Sequence, residues 1–100
     1  MDDKKFENAF NSAGAWFILN QIEEFLDWDE GDKSTLIKNM HAKGFDDEVI
    51  GTRTRVNAIL RLIKNGWVKR ALEKIQTSEK INRMHPEARM LAEDIIKRRF

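Results

Sequence analysis

The chain has 100 residues, which is enough for one domain around one hydrophobic core, so we treat residues 1–100 as a single domain. Hydrophobic residues make up 41% and charged residues 35% of the sequence, a composition that excludes a disordered tail. The absence of cysteine excludes a disulfide framework and cysteine-ligated zinc. The longest apolar run, Ala15–Leu19, is far shorter than the roughly 20 residues of a transmembrane helix. These features predict a cytoplasmic protein without membrane contacts.

The two halves of the chain carry opposite charge. Residues 1–50 contain five Lys or Arg and twelve Asp or Glu, a net charge of −7. Residues 51–100 contain thirteen Lys or Arg and five Asp or Glu, a net charge of +8, and the total of +1 conceals this difference. A basic half with a surface of its own is typical of proteins that bind a polyanion, and nucleic acid is the polyanion that we expect.

Residues 3–28 are expected to form one or two helices, because aromatic and aliphatic side chains recur at helical spacing. A break at Asn11–Gly14 would make Ser12 the N-cap of the second helix. Six of the nine aromatic residues lie in the first 28 positions, more than one side of a surface helix needs. They therefore either form part of the core or contact a second chain. We predict the second, a dimer or partner interface in the aromatic and acidic segment 1–32. The residues expected at this interface are Phe6, Phe10, Trp16 and Phe17.

Two further helices are predicted in the middle of the chain. The first covers residues 33–43 and ends at Gly44, a residue typical of helix C-termini. The second is capped by Asp46 or Thr52 and ends at Asn65–Gly66. Its apolar residues follow i, i+3, i+4, i+7 spacing and define the side that faces the core. These residues are Val56, Ile59, Leu60 and Ile63.

After Gly66 the pattern fits two different structures. Residues 67–75 either continue as a helix or form an edge strand that turns near residues 76–79 and returns through residues 80–84. A final helix is expected from Pro86, with His85 as its cap and three basic residues in its last turn.

The helix that ends at Asn65–Gly66 carries polar side chains opposite its apolar side, at about 100° per residue. Arg pairs with guanine and Asn with adenine in the major groove, whereas Lys neutralises phosphate. No acidic residue lies between Gly51 and Leu72, so the usual i,i+4 salt-bridge partners are missing. We therefore predict that this face contacts DNA. The predicted base contacts are Arg53, Thr54, Asn57 and Arg61, and the predicted phosphate contacts are Thr52, Arg55 and Lys64.

The order of residues resembles a known family. Residues 52–70 (TRTRVNAILRLIKNGWVKR) resemble the recognition helix and first wing strand of winged helix-turn-helix proteins. Residues 81–93 (INRMHPEARMLAE) resemble the returning strand and closing helix of MarR-like and PadR-like regulators. The resemblance covers residues 33–100 and implies a mainly α, winged helix-turn-helix fold with an extra N-terminal helix; the alternative is an all-α helical bundle. The phosphate contacts that the resemblance implies in the wing are Lys69, Arg70, Lys74, Lys80 and Arg83.

Two functions stay open. The first is a small transcriptional regulator that binds double-stranded DNA as a homodimer, with residues 52–65 in the major groove and no cofactor. The second is an all-helical module that binds a protein partner through its aromatic N-terminal face. Metal binding and enzyme activity are not expected, because His41 and His85 lie far apart in the sequence and no catalytic motif occurs. The basic helix face favours the first function.

Overall fold

The computed structural model describes residues 2–28 and 31–100, and over these residues the backbone forms seven helices and no strand. The mainly α prediction is therefore confirmed, and the all-helical alternative describes the molecule better than a winged fold does. The helices are α1 (Asp2–Ala13), α2 (Ala15–Leu26), α3 (Lys33–His41), α4 (Val49–Lys64), α5 (Val68–Thr77), α6 (Glu79–Met84) and α7 (Ala88–Arg99).

A glycine makes the corner between α1 and α2. Gly14 has a φ of 84°, a conformation that side chains with a Cβ rarely adopt. A Cβ at this position would also lie 2.6 Å from Nη1 of Arg55, which packs into the corner from α4. The break thus lies within the predicted stretch Asn11–Gly14. The predicted N-cap was wrong, because Ser12 lies inside α1 and Gly14 precedes α2.

A seven-residue linker joins α3 to α4. Asp32 caps α3 by accepting a hydrogen bond from the backbone N–H of Ser34 at 3.0 Å. The predicted caps of α4 were wrong: α4 begins at Val49, and the side chains of Asp46 and Thr52 bond to each other instead. The end of α4 is as predicted, because α4 ends at Lys64 and Asn65 is its C-cap.

The segment for which the resemblance implies a β-wing is helical. The apolar residues of α5 recur every three or four positions, and their burial against α7 favours a helix over a strand, in which they would fall on both faces. The predicted turn near residues 76–79 is present, but it joins two helices. Ser78 caps the second, α6, by accepting a hydrogen bond from the N–H of Ile81 at 3.3 Å. The buried residues of α5 are Val68, Ala71, Leu72 and Ile75.

The central helix of the molecule is α4. It packs against α1, α2, α3 and α5, while α7 packs against α5 and α2. The resulting core contains residues from all helices except α6, in a molecule that measures 33 × 28 × 27 Å. Within the described part of the chain, no helix combines the length and the apolar character that a membrane span requires. The largest fully buried side chains include Phe6, Phe17, Ile22, Met40, Ile59, Leu62 and Leu72.

Candidate nucleic-acid interface

The outer face of α4 has the orientation that its sequence predicts. Arg53, Thr54, Arg61 and Lys64 are exposed, and Asn57 is half-buried between them. These positions face solvent because the opposite side of the helix is buried against α1, α2 and α3. The face runs from Arg53 to Lys64, about three turns and roughly 17 Å of the helix, so its side chains can contact several consecutive base pairs. Among the described residues, no carboxylate lies within 4.0 Å of Arg53, Arg61 or Lys64.

Two apolar residues at the start of α4 belong to the same surface, and sequence analysis missed them. Ile50 is 66% exposed and Val49 is 43% exposed. Helical spacing places Ile50 on the same side as Thr54 and Asn57, and Thr54 Oγ1 donates a hydrogen bond to the carbonyl of Ile50 at 3.0 Å. An exposed apolar side chain beside polar ones can contact the methyl group of thymine. The only signal in the sequence was that Ile50 lies outside the apolar period of α4, whereas Val49 follows that period, seven residues before Val56.

Thr52 and Arg55 face inward, which contradicts their prediction as phosphate contacts. Thr52 is completely buried, and its hydroxyl donates to Asp46 Oδ2 at 3.3 Å and contacts His41 Nδ1 at 3.1 Å. Arg55 Nε donates to both carboxylate oxygens of Asp46 at 3.0 and 2.9 Å, and Arg55 Nη1 donates to the carbonyl of Ala13 at 2.6 Å. These groups hold the linker and the end of α1 against α4. They are structural, because their hydrogen-bonding groups are already occupied.

Two of the three predicted phosphate contacts on α5 are paired with α1. Arg70 forms an ion pair with Asp3 at 2.7 Å, and Lys74 forms one with Glu7 at 2.8 Å. Arg70 also lies 4.2 Å from the centre of the Phe6 ring, a cation–π distance. Lys69 is exposed and has no carboxylate within 4.0 Å among the described residues. The acids that partner α5 lie 67 residues earlier in the chain, so the sequence pattern around α5 could not show them.

The C-terminal arginines are neutralised in the same way. Arg98 hydrogen-bonds to Glu23, and Arg99 donates to Glu23 at 3.3 Å and to both oxygens of Asp27 at 2.8 and 2.9 Å. The hydrogen bond from Arg98 holds the pKa of the Glu23 carboxyl below its ordinary value, and Arg99 acts in the same direction. The hydrogen bond from Arg99 likewise lowers the pKa of Asp27. These pairs fasten the end of α7 to α2.

Most ion pairs join the acidic half of the chain to the basic half. Apart from Lys43–Glu24 and Lys97–Glu93, every ion pair among residues 2–28 and 31–100 connects an acid in the first half to a base in the second. The opposite charges therefore serve the fold, because they bring the two halves together. The predicted DNA contacts whose charge is left unpaired by described residues are Arg53, Arg61, Lys64, Lys69, Lys80 and Arg83.

The predicted aromatic interface lies inside the molecule. Phe6, Phe10 and Phe17 are 1%, 4% and 1% exposed, because α4 and α5 cover α1 and α2. Trp16 is half-buried and stacks on His85 at a ring-centre distance of 4.2 Å. The interface prediction was wrong for Phe6, Phe10 and Phe17, because these side chains belong to the core of the seven-helix molecule; for Trp16 it stays a prediction. His85, predicted as the cap of the last helix, is the C-cap of α6 instead, and α7 begins at Ala88.

No cluster of three or more potential metal ligands is present in the described residues. No protein-family model matches the sequence, and no curated protein or solved structure is significantly similar to it. The function must therefore be inferred from the surface chemistry of this chain.

Proposed function

We propose that the protein binds double-stranded DNA through the outer face of α4, which enters the major groove. The observation that carries this proposal is the contrast between basic surfaces. Arg55, Arg70 and Arg99 are engaged by carboxylates of the first half, whereas Arg53 and Arg61 extend from α4 without a described carboxylate partner. Two arginines that are exposed on one side of a helix, and that have no described carboxylate partner, are available to bind an anion from outside the molecule.

The residue types on this face match the chemistry of base edges. Arg53 and Arg61 can each form two hydrogen bonds to guanine O6 and N7, and Asn57 can form two to adenine N6 and N7. Lys64 and Lys69 supply charge for backbone phosphates, which fix the position of a protein on the duplex. Asp47 and Glu48 are exposed just before α4, and they repel phosphates at that end. We therefore expect Lys64 and Lys69 to contact phosphates beyond the C-terminal end of α4, away from these two acids.

The test is a fluorescence anisotropy titration of the protein into a labelled random-sequence duplex at low and at physiological salt. Because each neutralised phosphate releases counterions, affinity should fall steeply as salt rises. Arg53→Ala and Arg61→Ala should each weaken binding by about 1–3 kcal/mol. Binding site selection should then show reduced base preference in these variants.

Arg83→Ala is the matched control for both variants. Arg83 is an exposed arginine on α6, and like Arg53 and Arg61 it has no described carboxylate within 4.0 Å. Arg83 was expected to contact phosphate only as part of a β-wing, and residues 79–84 form α6 instead, so Arg83→Ala should bind DNA as the unchanged protein does. Unchanged affinity in Arg53→Ala and Arg61→Ala, with folding retained by circular dichroism, would exclude α4 as the reading helix.

A second candidate function is self-association, favoured by an apolar cleft between the end of α2 and the C-terminal half of α4. The cleft has a volume of about 440 Å³ and includes Trp28, a residue type enriched at energetically dominant interface positions. If a second copy fills it, Trp28→Ala should shift a dimer to monomer in sedimentation equilibrium, whereas Met90→Ala on the exposed side of α7 should not. The residues that line the cleft are Phe25, Leu26, Trp28, Leu60, Ile63 and Lys64.

A further inference from the structure

A second cleft lies between α3 and the first turns of α4. Its volume of about 400 Å³ is within the range of small-ligand sites, which span roughly 300–1,000 Å³. Ile37 and Val49 are the apolar residues of its lining, and the other lining residues are polar or charged. The residues that line it are Lys33, Ser34, Ile37, Lys38, His41, Val49 and Arg53.

The charged side chains described in this cleft are all basic. Lys33, Lys38 and Arg53 are exposed, and no described carboxylate lies within 4.0 Å of any of them. None of the described acidic residues lines the cleft. Two described acids are adjacent to lining residues along the chain: Asp32, which accepts from Ser34 N–H at 3.0 Å and from the hydroxyl of Thr35 at 2.9 Å, and Glu48, which is exposed before Val49. The charges of Lys33, Lys38 and Arg53, which lie on two helices, are therefore not paired with any described carboxylate within 4.0 Å.

The histidine in the cleft is held by a buried hydrogen-bond chain. Because Thr52 donates its hydroxyl proton to Asp46, it accepts a hydrogen bond from His41, which assigns the His41 proton to Nδ1. The other ring nitrogen, Nε2, has no partner among the described residues. Thr52 is completely buried, so its hydrogen bond to Nδ1 fixes the orientation of the imidazole from the core side of the ring. The position of this ring in the cleft is thus fixed before any ligand binds.

We propose that this cleft binds a phosphate group. Lys33, Lys38 and Arg53 neutralise its charge, Ser34 donates a hydrogen bond from its hydroxyl, and Ile37 and Val49 contact the organic part. The phosphate has two sources that the chemistry does not separate: the backbone of DNA bound to α4, or a free organic phosphate. The first source rests on the proposed function, whereas the second is independent of it. Since Arg53 belongs both to the cleft and to the DNA-facing side of α4, a free ligand would compete with DNA.

The experiment uses isotope-labelled full-length protein and follows amide and imidazole NMR signals during titration with inorganic phosphate and with AMP. We expect saturable shifts confined to α3, His41 and the first turns of α4. The double variant Lys33→Gln/Lys38→Gln should weaken AMP binding by roughly tenfold or more, since it removes two hydrogen bonds between charged groups. The control is Lys4→Gln/Lys5→Gln, which removes two exposed lysines of α1 and the same net charge.

A parallel DNA titration of the same two variants distinguishes the sources. If the backbone occupies the cleft, Lys33→Gln/Lys38→Gln lowers the salt slope of DNA binding by about 0.9 for each phosphate that is no longer neutralised, and the control does not. If a free phosphate occupies it, AMP binds the unchanged protein and the duplex displaces it. The proposal is overturned if phosphate and AMP leave the cleft signals unshifted and the two variants bind DNA with the same salt slope. Loss of the α4 function alone, seen with Arg61→Ala, leaves the AMP titration valid because Arg61 does not line the cleft.

Discussion

At the scale of single residues, Arg55 shows how a basic side chain can be structural. It donates hydrogen bonds to the carboxylate of Asp46 and to the carbonyl of Ala13. It also fills the position that a side chain at residue 14 would occupy, and its guanidinium lies 5.6 Å from the centre of the Phe17 ring. One side chain therefore joins α1, α2, the linker and α4. Asp46 is only 17% exposed, so removing this partner would leave a largely buried carboxylate without its ion pair.

Arg55→Ala should destabilise the protein without any ligand present. It leaves the Ala13 carbonyl without its side-chain donor and the Asp46 carboxylate with only the hydroxyl of Thr52, and we expect a decrease of about 1–3 kcal/mol in the free energy of unfolding. Urea denaturation measures this decrease. Arg53→Ala, two positions away and exposed, is the control and should change stability by no more than about 0.5 kcal/mol. Equal stability of the two variants would show that the network around Arg55 contributes nothing.

The carboxylates of Glu23 and Asp27, which bind the C-terminal arginines, make the stability of the protein depend on pH. The pKa of Glu23 is lowered in the folded protein by Arg98 and Arg99, so its contribution to stability is present above its ordinary value of 4.5 and is lost as pH falls through the lowered value. Glu23→Gln should therefore be less stable than the unchanged protein at neutral pH. The difference should shrink in acid, where Glu23 is protonated in both states. Unfolding measured across this range tests the sign, and a difference that grows in acid would contradict it.

At the scale of helices, α5 shows the limit of pattern reasoning. The sequence predicts α3 to within two residues of its end at His41, and it predicts the C-terminal end of α4, because glycine signals are local; its predicted N-caps were wrong. It leaves residues 67–75 open between helix and strand, since a short segment that mixes apolar and charged residues suits either. The decision comes from packing against α7, which is a contact between distant parts of the chain. Helical periodicity therefore identified the exposed face of α4, whereas the motif resemblance implied the wrong structure for the segment after it.

Glu73→Pro tests the helical state of α5. Glu73 is exposed in the middle of the helix, so the substitution removes no buried contact. It does remove a backbone hydrogen bond and introduces a clash with the preceding turn, at a cost of about 3 kcal/mol or more. Thermal unfolding should show this destabilisation for Glu73→Pro, while Glu73→Ala should stay within about 0.5 kcal/mol of the unchanged protein. A proline that is tolerated here would argue against the helix.

At the scale of the whole molecule, the division of charge along the sequence has a different meaning from the one that composition suggests. The sequence predicts an acidic half kept away from an anionic partner. In the structure the acids of α1 and α2 pair with the bases of α5 and α7, as Asp3 does with Arg70 and Asp27 with Arg99. Such pairs are separated by about 70 residues of chain, so no local pattern reveals them. Local patterns predicted the candidate site on the outer face of α4, where Arg53, Arg61 and Lys64 have no described carboxylate within 4.0 Å.

Intramolecular acids should therefore compete with DNA for the cations of α5. The variant Asp3→Asn/Glu7→Gln frees Arg70 and Lys74 and raises the net charge by two. Because exposed ion pairs contribute only about 0–1 kcal/mol, the fold should be nearly unaffected. We expect tighter binding to random-sequence DNA, with a salt slope steeper by about 0.9 for each additional phosphate that is neutralised.

The control for this variant must separate freed cations from net charge. Glu79→Gln/Glu87→Gln raises the net charge by the same two units at exposed positions that pair with no described base. Net charge acts at long range and mainly changes the rate of encounter, whereas a freed arginine binds a phosphate directly and changes the salt slope. The Asp3→Asn/Glu7→Gln variant should therefore exceed the control in both affinity and slope. If the two variants bind alike, α5 lies away from the bound DNA, and the interface is confined to α4 and its neighbouring cleft.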